Sequence, residues 1–273
     1  MGLSFVTDHN VARRLERAEA AANARFVEAR ARISPESGAR WIEVAGAYAM
    51  FDGVRSPCTQ TFGLGIFQAP TPADMEKIEG FFRERSAPVF HEVCPHADKS
   101  LLPLLNERGY RPIELSNVLL MPLLTKSTEA SVSSNPLQVR VVHEGERELW
   151  ARTATEGWRE FTEFADLMYE LMRVSASTDG SVDFLAYLDG QPIAAGGLAI
   201  HEGVAILAGA STIPEWRRRG AQQALLESRL QYALQAGCDL AMVVAEPGGP
   251  TQRNAERRGF RVAYTRTKWK SGS

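Results

Sequence analysis

Near the start of the chain, Val11, Leu15, Ala18, Ala22, Phe26 and Ala29 recur at helical spacing within an Ala-rich, charged stretch. That spacing puts them on one stripe of a helix, with Thr7 and Asp8 placed to cap its start and Ser34-Pro35 to close it. After Ser37-Gly38 the period shortens. Two apolar runs, 41–51 and 59–67, are separated by Asp52-Gly53, a dipeptide suited to a hairpin turn. Thr71-Pro72-Ala73-Asp74 then opens a helix through about Arg85, with Met75, Ile78, Phe81 and Phe82 as its apolar face. Residues 88–94 read as a strand, and 99–108 as a helix stopped by Gly109.

Residues 125–136 are rich in Ser and Thr and poor in large apolar side chains, as an exposed connection between domains would be. Beyond them the pattern predicts a strand (137–143), helices (144–155 and 161–174) and a strand (182–188). Asp189-Gly190 turns into a strand (193–200), and Glu202-Gly203 turns into another (204–212). A long helix ending at Gly237 follows, then a strand (240–245), a short helix (250–258) and a last strand (260–268). Leu105 to Arg111 echoes Asn254 to Arg261 once one residue is skipped, each with a glycine and then an aromatic residue where a helix gives way to a strand. The echo suggests two related halves, residues 1–125 and 136–273.

The most informative stretch joins the strand 204–212 to the long helix: Ile213-Pro214-Glu215-Trp216-Arg217-Arg218-Arg219-Gly220-Ala221-Gln222-Gln223. Pro214 lacks a ladder donor and stops the strand, Gly220 permits a tight turn, and the helix then begins. Orphan N–H groups at a helix start, with three arginines beside them, favour a phosphate or pyrophosphate. The stretch has neither the Gly-x-x-x-x-Gly-Lys-Ser/Thr nor the Gly-x-Gly-x-x-Gly arrangement of the common nucleotide loops.

Arg217-x-x-Gly220-x-Gln222 resembles the pyrophosphate loop of the GNAT family of acyl-CoA-dependent N-acetyltransferases, which reads Gln/Arg-x-x-Gly-x-Gly/Ala. Gln222 departs from it, so its side chain must point away from the pyrophosphate. The element order from residue 137 onward is also that family's order. The resemblance implies an α/β (α+β) chain of two GNAT-like domains, each a mixed, mostly antiparallel central sheet flanked by helices. The first half is degenerate, with no basic residue between Arg55 and Lys77 where a loop would stand.

The same resemblance implies acetyl-CoA (coenzyme A) as cofactor. Thr212 and Ile213 would pair with the pantetheine arm, and the backbone N–H near Thr212 would polarise the thioester carbonyl. Arg217, Arg218, Arg219, Gly220, Ala221, Gln222 and Gln223 would hold the pyrophosphate. Asn254 would reach the pantetheine or the 3′-phosphate region, unless it is simply an amide on a helix surface. The acceptor would be a primary amine of a small molecule or peptide, with Trp158, Phe161, Phe164 and Tyr169 in its pocket or in the core.

Attack by an amine requires its neutral form, hence a base or a water chain. Glu246, at the end of the strand 240–245, is the base candidate, with Tyr264 and Ser211 behind it; its alternative reading is a solvated strand-end charge. Where the family often places a tyrosine acid, this chain has Ala255. A thiolate with a pKa near 8.5 can leave unassisted, so transfer remains compatible with the sequence. The competing reading is an acyl-CoA-binding pseudoenzyme that senses or scaffolds.

A formal net charge of −2 over 273 residues supplies no general field for nucleic acid or anionic lipid. Apolar residues make up 44% of the chain, but no run approaches the roughly 20 needed to span a bilayer. Three scattered cysteines, Cys58, Cys94 and Cys238, suggest a reducing cytoplasm and no disulfide framework. His91, Cys94 and His96 lie close in sequence, but period two splits His91 from Cys94 across a strand, which argues against a metal site.

Overall fold

The computed structural model describes residues 7–123, 137–161, 163 and 165–272. The expected connection at 125–136 and the expected pocket residue Phe164 lie outside the described residues. The elements in chain order are α1 (His9–Ile33), β1 (Arg40–Val44), β2 (Ala47–Phe51), β3 (Gln60–Phe62), α2 (Pro72–Arg83), β4 (Phe90–Val93), α3 (Leu101–Glu107) and β5 (Arg111–Pro122). There follow β6 (Gln138–Val141), α4 (Arg147–Glu156), α5 (Ala165–Ala176), β7 (Ser181–Leu188), β8 (Gln191–His201), β9 (Val204–Thr212) and α6 (Ala221–Gln235). The chain closes with β10 (Leu240–Ala245), α7 (Pro250–Glu256) and β11 (Arg261–Lys270).

By its internal contacts the chain divides into two compact units. One is Met1–Met121 with Met242–Ser273, the other Pro122–Ala241. The sequence placed residues 242–273 with the second half. They count with the first unit because β11 forms antiparallel ladders on both of its edges there, with β4 (Thr267 opposite Val93) and with β5 (Thr265 opposite Asn117).

In the first unit the lateral order is β1, β2, β3, β4, β11, β5 and then β10, which belongs to this unit from Met242 on. All ladders described are antiparallel except β3 with β4. Asp8 caps α1 by accepting from the Val11 N–H at 2.8 Å. Thr71 and Asp74 form a reciprocal capping box at the start of α2. The apolar face of α2 is buried as its spacing predicts, and packs in a core with Val44, Phe51, Leu64, Leu101, Leu105 and Tyr110. Full burial of side chains such as Phe82, Met75 and Ile78 is worth about 1.5–3 kcal/mol each.

The predicted two-residue hairpin at Asp52-Gly53 is not formed. The tight turn lies at Ala45-Gly46, with φ of 50° and 77°, inside the run that the sequence read as one strand. β2 does pair with β3, but across the longer loop 52–59. Asp52 is buried there. Its carboxylate accepts from Arg30 Nε at 3.0 Å and from Ser56 Oγ at 2.6 Å, and its N–H donates to Thr59 Oγ1 at 3.0 Å. The Asp closes the loop with its side chain instead of turning the backbone.

In the second unit the order is β9, β8, β7, β6, antiparallel throughout. Both expected turns form, Asp189-Gly190 (φ 52° and 76°) and Glu202-Gly203 (φ 44° and 78°). Trp150, Ala151 and Ala154 of α4 pack on Leu185 and Ala195. The helix–strand echo is also present: the Tyr110 N–H donates to Leu105 O and the Phe260 N–H to Ala255 O, with Gly109 and Gly259 left-handed at φ 75° and 95°. Both aromatic rings are buried.

Candidate functional site

The second unit holds the predicted anion corner. β9 is not regular as it approaches it. Ala195 faces Ser211 and Gly197 faces Ala208, so Gly209 and Ala210 together oppose Gly196 in a bulge, with Gly209 at φ 60°. The bulge rests on Arg229, a buried cation on α6. Its Nη1 donates to Gly197 O at 3.1 Å and Ala208 O at 3.4 Å, and its Nε to Leu225 O at 3.2 Å. Burial lowers its pKa to about 10. A Cβ on Gly196 would lie 3.2 Å from the guanidinium carbon, so glycine gives the cation its room.

Past the bulge, the Ser211 hydroxyl donates to Ala154 O at 2.8 Å. That bond commits it to α4, and Ser211 is not free to act as a base. Thr212 is buried, and the Ile213 N–H pairs with Ile193 O at 3.0 Å. The strand then breaks into a single 3-10 turn, Pro214–Trp216, closed by the Arg217 N–H on Pro214 O at 3.2 Å.

The loop itself alternates in hand. Arg217 is extended (φ −62°, ψ 159°), Arg218 is left-handed at φ 65°, and Gly220 is left-handed at φ 85°. A non-glycine residue held left-handed costs on the order of 1–3 kcal/mol, so the surroundings must enforce Arg218. The α6 ladder starts with the Ala224 N–H on Gly220 O at 3.0 Å. Helix geometry therefore leaves the N–H groups of Ala221, Gln222 and Gln223 without an i−4 carbonyl. Together with the helix dipole they form a positive concavity suited to phosphate oxygens.

Gln222 resolves the departure noted in its sequence. Its Nε2 donates to Thr212 Oγ1 at 2.8 Å, so the side chain folds back to the strand end and leaves its own amide uncovered. Arg217 is engaged on the other side, its Nη1 donating to Glu160 Oε2 at 2.5 Å and its Nη2 to Gly157 O at 3.2 Å. Arg219 stacks its guanidinium 4.9 Å from the Trp216 ring. Gly157 packs so closely that a Cβ there would meet Ser211 Cβ and Oγ at 2.5 Å and Thr212 N at 3.1 Å. The same turn carries Trp158 and Phe161, exposed and 6.0 Å apart between ring centroids, so neither is core. Tyr169 donates to Glu148 Oε1 at 2.6 Å.

The structure thus brings Thr212, Ile213, Arg217, Arg218, Arg219, Gly220, Ala221, Gln222 and Gln223 into one corner. Glu246, Asn254 and Tyr264 belong to the first unit. Glu246 is exposed at the end of β10, where its carbonyl accepts from the Gly249 N–H. The loop after it is fixed by Gln252, whose Oε1 accepts from the Gly248 N–H at 2.8 Å and from Asn117 Nδ2 at 3.0 Å. Asn254 is exposed on α7 and accepts from Arg257 at 3.2 Å. Tyr264 is buried and donates to Glu16 Oε1 at 2.8 Å; burial raises its pKa, which rules it out as a base near neutrality.

Sequence reasoning missed Glu160, Gly157 and Arg229. For Arg229 a signal existed, an arginine on the buried stripe with Leu225, Leu226 and Ala233, but an arginine in a helix reads as surface. Among the described residues, no group of three His, Cys, Asp or Glu is placed to hold a metal. No described helix is long and apolar enough to cross a membrane.

Residues 146–260 match the family model described as Acetyltransferase (GNAT) family. No curated protein matches the chain. Among solved structures, the chain is similar to a GCN5-related N-acetyltransferase from Kribbella flavida at 20% identity and a TM-score of 0.63, over 92% of this chain and 96% of that one. It is also similar to a tandem GNAT protein from the clavulanic acid biosynthesis pathway, at 12% identity and a TM-score of 0.55, over 83% and 79% of the two chains. A third similarity is to a GCN5-related N-acetyltransferase from Sphaerobacter thermophilus, at 18% identity and a TM-score of 0.54, over 78% and 71%. At these identities the likeness is one of fold.

Proposed function

We propose, from the match of residues 146–260 to the acetyltransferase (GNAT) family model, that the protein transfers an acetyl group from acetyl-CoA to a primary amine of a small molecule or peptide by direct attack. The observation that carries the reading is the corner from Thr212 to Gln223. Two left-handed residues and a helix start leave amides exposed there, and a basic triplet stands beside them. The fit to a diphosphate rests on Gln222 as well, because its side chain is tied to Thr212 and does not fill the concavity.

Acetyl-CoA supplies an acyl carbon activated as a thioester. On this reading the amides of Ala221, Gln222 and Gln223, with Arg217, Arg218 and Arg219, hold the diphosphate. The end of β9 at Thr212 and Ile213 pairs with the pantetheine amides, and the N–H near Thr212 stabilises charge developing on the carbonyl oxygen. Glu246 takes the proton that the attacking amine loses as the new C–N bond forms and the C–S bond breaks. Asn254 contributes a hydrogen bond to the pantetheine or the 3′-phosphate region. We place the tandem halves at 1–125 and 136–273, the first without a cofactor loop of its own, and the protein in the cytoplasm.

The test is calorimetry with coenzyme A, followed by thiol release from acetyl-CoA against a panel of primary amines. Binding together with amine-dependent thiol release supports the transferase. Binding with no release on any amine sinks the enzyme and favours a sensor. No heat on adding coenzyme A sinks both readings.

A further inference from the structure

The first unit contains a cavity of about 310 Å³ that the cofactor corner does not use. Residues of α1, β3, β4, β5, β10 and β11 line it, and its charged lining is unbalanced: Glu19, Glu92, Glu114 and Glu246 against Arg266 and Lys268. Both cations are already shared. Arg266 Nη1 lies 2.5 Å from Glu19 and 3.6 Å from Glu16, and Lys268 Nζ lies 3.4 Å from Glu92 and 3.5 Å from Glu114. Counting Glu16, five carboxylates stand around two cations.

Glu92 is the decisive residue. It is 7% exposed and lines the cavity, and while its Oε1 meets Lys268, its Oε2 has no hydrogen-bond partner. Ser116 Oγ, on the same lining, also has none. A buried carboxylate oxygen without a donor is costly, so a donor of positive charge is favoured there. The site lacks the clustered ligands of a metal centre. An ammonium group, with three N–H donors and a compact charge, matches the acceptors present. Phe62 and Val244 on the lining supply apolar wall for a carbon chain. Burial raises the pKa of Glu92 and lifts Glu16 to about 7, against the opposing charge of Arg266.

We propose that this cavity binds a small molecule through a protonated primary amine, held by the carboxylate of Glu92 within the field of Glu19 and Glu114. Identifying that ligand with the acyl acceptor rests on the transferase reading; the binding itself does not.

The full chain is titrated calorimetrically with 1-aminobutane and 1,4-diaminobutane, with 1-butanol as the uncharged comparison, at a pH where the amines are charged. The amines bind and the alcohol does not. Glu92→Gln weakens amine binding by on the order of 10- to 100-fold, the worth of a charge-assisted hydrogen bond. Glu114→Gln alters a carboxylate whose side chain is 58% exposed, so the fold tolerates it, and it weakens binding several-fold. No heat from either amine overturns the proposal, and so does amine binding that neither variant changes. An amine that binds but is never acetylated leaves the cavity assignment standing and removes the identification of its ligand with the acyl acceptor. Acetylation whose KM for the amine is unmoved by both variants leaves the transferase standing and shows that the acceptor binds elsewhere.

Discussion

If Arg217 grips the diphosphate, it must first let go of Glu160. In the structure described here its guanidinium donates to Glu160 at 2.5 Å and to Gly157 O at 3.2 Å, with the two charged side chains 43% and 54% exposed. An ion pair this exposed is worth about 0.2–1 kcal/mol. A charge-assisted bond to a phosphate oxygen is worth about 1.5–3 kcal/mol. Exchange therefore favours the phosphate, but by less than the new bond alone. Arg217→Ala should weaken coenzyme A by the difference, about 0.5–2.8 kcal/mol, or roughly 2- to 100-fold. Glu160→Gln should tighten it by about 1.4- to 5-fold, because the ion pair then no longer has to be broken. In the double variant the benefit of Glu160→Gln should vanish. The assay is calorimetry with coenzyme A and with its 3′-dephospho form at two salt concentrations. Loss of affinity on Arg217→Ala should be equal for the two ligands, since both keep the diphosphate. The reasoning is refuted if Arg217→Ala binds like the parent, or if Glu160→Gln helps equally when Arg217 is absent.

Gly157 has helical backbone angles (φ −63°, ψ −17°), so Gly157→Ala fails only through contact with Ser211 and Thr212. It should cost about 1–3 kcal/mol of stability, read by denaturant melts, and lower turnover by displacing the end of β9. Arg229→Met strands the carbonyls of Gly197 and Ala208 and should cost about 2–4 kcal/mol, seen as a Tm lower by several degrees, with Arg229→Lys recovering part. Asp183 is buried with an unpaired Oδ1, and burial lifts its pKa to about 7 against partial relief from Arg147. Between its ordinary value of 3.8 and about 7 the folded state holds a proton that the unfolded state has lost, so stability falls as pH rises through that window. Asp183→Asn should remove as much as about 2–3 kcal/mol of that decline, measured as unfolding free energy at pH 5 and pH 8; an unchanged slope would refute it.

Much of the architecture was legible because it rests on local chemistry. Asp8, Thr71-Asp74, Gly109, Gly237 and the Asp189-Gly190 and Glu202-Gly203 turns stand where caps and turns require them. Where the sequence pattern and the structure part, tertiary contacts decided what local preference could not. Ala45 takes a left-handed φ that alanine seldom adopts, and Asp52 spends its side chain on Arg30 and Ser56, so local preference pointed to the wrong dipeptide. Residues 261–270 carry an ordinary strand pattern, and nothing in that pattern specifies which strands lie beside them; the ladders with β4 and β5 are tertiary facts. In the candidate site the backbone features, Pro214, Gly220 and the helix start, were readable. The partners of Arg217 lie nearly sixty positions upstream, at Gly157 and Glu160, in a turn that no spacing rule connects to the loop.

The proton that leaves the amine and the thiolate that leaves the acyl carbon place different demands on the chain. The two hydroxyls that stood behind Glu246 as base candidates are spent elsewhere: Ser211 donates to Ala154 O and Tyr264 donates to Glu16. At the position where the family resemblance led us to look for a tyrosine, Ala255 is buried, and its carbonyl accepts the Phe260 N–H that turns α7 into β11. A phenol would have to find room in that cap. A thiol with a pKa near 8.5 departs as a thiolate without much penalty at neutral pH, whereas an alkylammonium near 10.4 cannot attack until it is deprotonated. Under the transferase reading the protein's help is therefore needed on the amine side. The first unit does concentrate carboxylates, with exposed Glu246 on the lining of a cavity that also holds Glu19, Glu92 and Glu114; a base for the amine is to be sought among them.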